Sequence, residues 1–237
     1  MTSTTPTVRL GQPARYEDLP RLMSLMTGAE KHGPAATSTL DAVWVLYDRV
    51  LRVSPETAEH PDRDRFLLSK GHGPMAYYAV LAAKGYFPVH WLPGFGSYHS
   101  PLGHHPDRVL VPGVEISSGS LGHGLPLAVG TALGLRAQGR TDPAVWVLVG
   151  DAELDEGSNH EALAFAGAYG LERLHTVVVD NSSASYARPG GIAARFEAAG
   201  WSTATVDGHD HQALLGATRH PHPGRPHAVI ARVEAKD

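Results

Sequence analysis

The hydrophobic pattern is densest between Ala144 and Tyr186. Residues 144–151, AVWVLVGD, form a β-branched apolar run closing on Gly150-Asp151, and residues 175–181, HTVVVDN, form a second closing on Asp180-Asn181. The stretch between them has helical composition. This is the pattern of a strand–helix–strand unit, which is parallel and crosses over right-handedly. Both strands then finish on one edge of the sheet. Asp151 and Asn181, thirty positions apart, are expected side by side there, where open α/β sheets bind ligands.

The rest of the chain repeats the alternation. Residues 1 to about 15 read as a disordered arm, and a short helix follows from Tyr16 to about Glu30. Ser38 with Asp41 has the form of a capping box, ahead of Leu40, Val43, Trp44 and Tyr47 at helical spacing. Arg65–Ser69 is a short strand, and an apolar helix runs from about Pro74 to Lys84. Residues 88–113, with repeated proline and glycine, read as a long irregular loop, a kind that is usually functional or disordered. A glycine-rich turn at Gly119 opens a long apolar helix reaching Gly139. After the central unit come a helix near 192–199, a strand near 203–206, a helix near 210–218 and a strand at 227–233. The expected fold is a three-layer α/β/α domain with a mostly parallel, doubly wound sheet. It would occupy residues 31–237, behind an arm and short helix over 1–30.

Composition narrows the function classes. A hydrophobic share of 42% and a charged share of 19% suit an ordinary globule, and a net charge of −4 gives no footprint for nucleic acid. No apolar run approaches the ~20 residues of a membrane span, and the polar N-terminus lacks the apolar core of a secretory signal. Zero cysteines exclude disulfides, thiolate metal sites and cysteine nucleophiles, and fit a cytoplasmic enzyme. Fifteen histidines are many, yet they show no metal-binding spacing.

The candidate chemistry begins with Asp151 and Asn181. A carboxylate and an amide oxygen converging beside backbone carbonyls are hard donors for Mg²⁺ or Ca²⁺, and they suit Mg²⁺ best when a diphosphate completes its octahedron. Either residue alone could equally cap a helix or shape a turn; the pairing across one βαβ unit favours the metal. The turn Gly119-Ser120-Leu121-Gly122-His123-Gly124 lets backbone approach a ligand and offers helix N–H groups, although tight helix packing would explain it as well.

GDAELDEG followed by VVVDN resembles the thiamine diphosphate motif of the transketolase family. The resemblance implies metal ligation by Asp151, Asn181 and the backbone of Ser183, with Gly150, Ala152 (usually Gly) and Glu153 beside the cofactor. Pro112–Gly124 is similar to that family's PGVE…GSLGxG stretch, which implies that Gly119, Ser120, Leu121 and Gly122 line the cofactor pocket. Ser69-Lys70-Gly71-His72 resembles its S-x-G-H, placing His72 against diphosphate and substrate. Gly103-His104-His105-Pro106 resembles its G-H-P with one histidine inserted, so His104 or His105 would meet the donor hydroxyl. His32, in Lys31-His32-Gly33-Pro34, stands where the family has G-H-P-G, and Glu156 matches an acid near the subunit interface, though it also suits a helix's first turn.

What the resemblance implies is the diphosphate-binding half of a transketolase, moving a two-carbon ketol unit from a ketose or ketose phosphate to an aldehyde. The pyrimidine-binding half is missing from the sequence, which implies a separate partner chain in an α₂β₂ complex. Two alternatives stand beside it: a thiamine-dependent 2-oxo acid decarboxylase subunit, and a non-catalytic module of the same fold. A Rossmann nucleotide binder is disfavoured, because no G-x-G-x-x-G follows a strand with a downstream ribose acid.

Overall fold

The computed structural model describes residues 15–27, 33–184 and 189–235. Its five strands are β1 (Arg65–Leu68), β2 (Val145–Gly150), β3 (Leu174–Asp180), β4 (Ser202–Asp207) and β5 (His227–Arg232). Around them lie α1 (Leu19–Ser24), α2 (Gly33–Val45), α3 (Pro74–Ala83), α4 (Gly124–Ala137), α5 (Gly157–Ala168), α6 (Gly191–Ala198) and α7 (His211–Thr218). The strands are ordered β1-β2-β3-β5-β4, every neighbouring pair parallel. Every strand end therefore meets the same edge, as the sequence pattern predicts.

Helices cover both faces, so alternate strand residues feed two cores. Phe66, Trp146, Leu148, Val177 and Val179 pack with α1, α2, α3 and α7. Leu67, Val147, Val149, Val178 and Ile230 face α4, α5 and α6, where Phe196 and Trp201 are fully buried. Burial on both faces is why these strands read as unbroken apolar runs rather than as alternation.

Two local expectations change. The first helical segment stops at Ser24, well short of Glu30. The helix expected to start at Ser38 begins at Gly33, so Ser38 and Asp41 lie inside α2 and form no capping box. Ser38 instead meets Lys70, and the Asp41 carboxylate is bonded to His209 and His211. The Pro- and Gly-rich stretch is an irregular loop, as expected, with a short 3₁₀ turn (Val89–Gly94) inside it; Phe87 and Phe95 pack on Tyr78, and Trp91 stacks on Phe87. His32 lies outside the described residues.

One carboxylate ties the ligand edge together. Glu153 follows β2, is 2% exposed, and accepts hydrogen bonds from Ser69 Oγ after β1, from Gly122 N (3.0 Å) in the glycine-rich turn and from Gly150 N (3.3 Å). Ser69 Oγ in turn accepts from Gly124 N at 3.0 Å, which fixes the first turn of α4. Burial pushes the Glu153 carboxyl above its usual range while these three donors pull it down. Glu153→Gln replaces one acceptor oxygen by a donor facing donors. It should cost about 1–3 kcal/mol in urea unfolding, far more than Glu161→Gln on the outside of α5.

The opposite edge holds buried histidines. His175 stacks on Trp146 at 4.2 Å, and the His227 ring stacks on His222 at 4.9 Å while its Nε2 donates to Ala217 O. Burial holds both rings neutral, lowering His227 to about 4 and His175 well below its ordinary value. The unfolded chain takes up these protons near pH 6.5, so the stability they contribute is complete above that pH and is lost as pH falls toward 4. Each histidine adds a slope of at most ~1.4 kcal/mol per pH unit. Unfolding at pH 7, 6 and 5 should show this loss, and His175→Phe, which keeps the stack, should flatten it.

Candidate functional site

The β2–β3 register brings the predicted pair together. Gly150 pairs with Val179, and Asp151 N donates to Val179 O at 3.1 Å. Asp151 and Asn181 then line one small cleft with Lys70, Gly71, His72, Leu121, Gly150, Ala152, Glu153 and Ser183. The cleft lies across the carboxyl ends of β1, β2 and β3. Its volume is about 80 Å³, well below the ~300–1,000 Å³ of a pocket that encloses a small molecule alone.

The loop after β3 is wrapped onto Asp151. Ser182 adopts φ 57°, the one left-handed non-glycine among the described residues, with its N–H donating to Asp180 Oδ1. That turn aims Ser183 N (2.6 Å), Ser183 Oγ (2.7 Å) and Ala184 N (3.0 Å) at the Asp151 carboxylate. A carboxylate offers about four acceptor positions, so the described residues leave one open. Asn181 is 6% exposed, and its Oδ1 has no hydrogen-bond partner among the described residues. A buried acceptor left unsatisfied costs about 1–3 kcal/mol, and a cation or donor entering the cleft removes that cost. Carboxylate, amide oxygen and nearby carbonyls form a hard-donor set, and the residues present fit a magnesium-type ion.

Two glycines of the turn before α4 are required by contact. Gly119 has φ 129°, and a Cβ there would lie 2.8 Å from the His105 ring. Gly122 has φ 81°, and a Cβ there would meet Glu156 Cβ at 2.6 Å and Ser158 Oγ at 2.7 Å. The Ser158 hydroxyl donates to Gly122 O, so α5 holds the turn from behind. Leu121, between these glycines, projects into the cleft and is 43% exposed.

The histidines separate. His72 lines the cleft directly. His105 packs on Gly119, whereas His104 sits edge-on to Phe95 at 5.2 Å and against Gly96, within its own loop. Glu156 stands at the N-cap of α5 with an exposed side chain, touching Gly122 from outside the cleft. Lys70 is a cleft residue that the likeness of Ser69–His72 to S-x-G-H does not single out. It lines the cleft at 7% exposure, and its Nζ donates to Thr39 Oγ1 (2.8 Å) and Ser38 Oγ (3.3 Å) of α2. Its position directly after an apolar strand is the signal that marks it in the sequence.

This geometry has relatives. The family described as transketolase, thiamine diphosphate binding domain, matches residues 25–233. A protein of Rhodococcoides fascians named ferredoxin fas2 is 56% identical over 92% of this chain and 72% of its own length. One of the subunits of the apulose-4-phosphate transketolase of Actinobacillus succinogenes is 37% identical, over 84% of this chain and 75% of its own length. Among solved structures, a transketolase mutant from Pichia stipitis superposes with a TM-score of 0.75 at 26% identity, over 86% of this chain and 36% of that one. Leishmania mexicana transketolase gives 0.74 at 25% identity, over 93% and 37%. The chain thus spans just over a third of the length of these solved transketolases. By sequence, sheet topology and the residues gathered at its cleft, the chain belongs to the transketolase family, as a thiamine diphosphate-binding domain.

Proposed function

We propose that the chain is the diphosphate-binding subunit of a two-component transketolase, transferring a two-carbon ketol unit from a ketose or ketose phosphate to an aldehyde. The carrying observation is the half-built cleft: Asp151 and the unsatisfied Asn181 Oδ1 meet in about 80 Å³, beside an exposed Leu121. The Actinobacillus succinogenes relative is named as one subunit of its enzyme, which supports a second chain. That chain would bring the pyrimidine-binding wall, in an α₂β₂ complex.

Thiamine diphosphate, when bound, supplies the carbanion that breaks and remakes a bond beside a ketone. The protein's part is binding, orientation and proton handling. Asp151, Asn181 Oδ1 and the Ser183 carbonyl would hold Mg²⁺ on the diphosphate, and the Gly119–Gly122 backbone would close on the cofactor. Leu121 gives it an apolar surface. His72 and His105 would carry protons to and from sugar hydroxyls, a task suited to imidazole at neutral pH. His105 is preferred to His104 because it packs on the turn, whereas His104 packs on Phe95.

A second reading is favoured by the name of the 56%-identical relative, a ferredoxin. On that reading the bound cofactor would supply decarboxylation chemistry: a 2-oxo acid and water would give carbon dioxide and the shorter carboxylic acid, with two electrons passed to an iron–sulfur carrier and two protons to solvent. Such clusters need thiolates and this sequence has no cysteine, so the carrier would lie on another chain or segment.

Purified chain, candidate partner and their mixture should be assayed with xylulose 5-phosphate plus ribose 5-phosphate, and with pyruvate plus a ferredoxin. The expected result is ketol transfer by the mixture alone, reduced at least 100-fold by Asn181→Ala. Turnover by the isolated chain overturns the two-component assignment. Pyruvate-dependent ferredoxin reduction without ketol transfer selects the second reading, and a mixture that fails to bind thiamine diphosphate in calorimetry leaves only a scaffold module.

The two loop histidines give a separate check. His105→Ala should lower kcat/KM for the ketose by at least tenfold with little change in Tm. His104→Ala, which empties space against Phe95, should lower Tm with a smaller kinetic effect.

A further inference from the structure

The sheet edge opposite the cleft carries a second concavity. It lies where α4 and α5 end and β2 and β3 begin, and its volume is about 360 Å³, within the range of small-molecule sites. Arg136, Arg140 and Arg173 line it with Glu172 as the one acid, over an apolar floor that includes Leu135 and Leu171.

The arginines are oriented more than they are neutralised. Arg136 Nη1 donates to Tyr169 O at 3.1 Å and Arg173 Nη2 donates to Asp142 O. Both partners are uncharged carbonyls, which fix a guanidinium without cancelling its charge. The Asp142 carboxylate is held chiefly by Arg52, with the Arg173 charge also acting on it, and Arg140 is paired with Asp62. The negative C-terminal pole of α5 also reaches this edge, and Arg136 offsets it through Tyr169, the residue that caps that helix. Among the lining residues themselves, three guanidiniums stand against one carboxylate, over an apolar floor. Guanidinium forks match phosphate oxygens in geometry, and the floor can take the carbon skeleton of the same molecule.

We propose that this concavity is a second anion site, for a small phosphorylated metabolite, separate from the cleft. The six residues of β2, at ~3.3 Å each, hold the two sites about 20 Å apart. Neither site therefore shares a residue with the other, and the proposal stands whichever thiamine reaction the cleft supports.

The test is calorimetric titration of the whole chain with inorganic phosphate, fructose 6-phosphate and, as the uncharged control, fructose. Fructose 6-phosphate should bind with Kd below about 1 mM, the region of weak but specific recognition, and fructose should not. The double variant R136Q/R173Q should weaken binding at least tenfold, R140Q less because Asp62 already holds that charge, and D151N in the cleft not at all. Because Arg136 also caps α5, R173Q alone serves as the variant whose fold is least disturbed, and its circular dichroism and Tm should match the parent. Binding unchanged in R173Q and R136Q/R173Q, binding abolished by D151N, or no binding by the parent chain would each overturn the site.

Discussion

The buried carboxylate of Glu153 is the interaction on which the ligand edge depends. A lone ionised carboxylate inside a protein is strongly disfavoured; here Ser69 Oγ, Gly122 N and Gly150 N surround it. Each bond to a charged acceptor contributes about 1.5–3 kcal/mol, so the three together offset part of the desolvation, and burial still holds the carboxyl above its usual range. The donors come from the end of β1, the turn before α4 and the end of β2, segments up to 84 positions from the glutamate. No local propensity brings those three together. Glu153 does, and the cleft is built as a by-product, since the same segments present Lys70, His72, Leu121 and Asp151 to it.

That arrangement explains what could be read from the sequence. The parallel sheet was legible because strands covered on both faces carry unbroken apolar runs, as β2 does throughout and β3 does over Val177–Val179. The meeting of Asp151 and Asn181 followed from parallel connectivity alone. What was not legible depended on contacts between distant segments. Ser38 and Asp41 look like a helix start because their spacing is local, yet their partners are Lys70, His209 and His211. In the turn after β4, Asp210 caps α7 by accepting from Gln212 N and Ala213 N, while its neighbour His209 is pinned by Asp41 and Glu234, which no spacing shows.

The loop between α3 and α4 teaches the same distinction. Proline and glycine announce irregular backbone correctly, but order in that loop comes from ring packing, with Phe87 and Phe95 on Tyr78 and Trp91 stacked on Phe87. The choice between adjacent histidines follows from it. Phe95 takes one ring, and the neighbouring ring is directed at Gly119. Two residues identical in type and adjacent in sequence thus fall into different environments, because a loop's direction is set by what it packs on.

The cleft's incompleteness is itself a physical constraint on how such a chain works. Asn181 Oδ1 is buried without a partner among the described residues, and Leu121 stands uncovered beside it. Each is a small standing cost that a complementary surface or ligand would remove. When one wall of a site sits on one chain and the other wall on a second, a cofactor held between them contributes to the affinity of both contacts. Linkage then requires reciprocity: whatever factor the cofactor adds to the association of the two chains, association adds to cofactor binding. A preformed half-site favours this coupling, because Glu153 has already ordered the glycine-rich turn and little conformational entropy remains to be lost when the second wall arrives. On the two-component reading, assembly and cofactor capture are one equilibrium, and the rigidity set by a single buried carboxylate determines how much of the binding free energy is left to drive it.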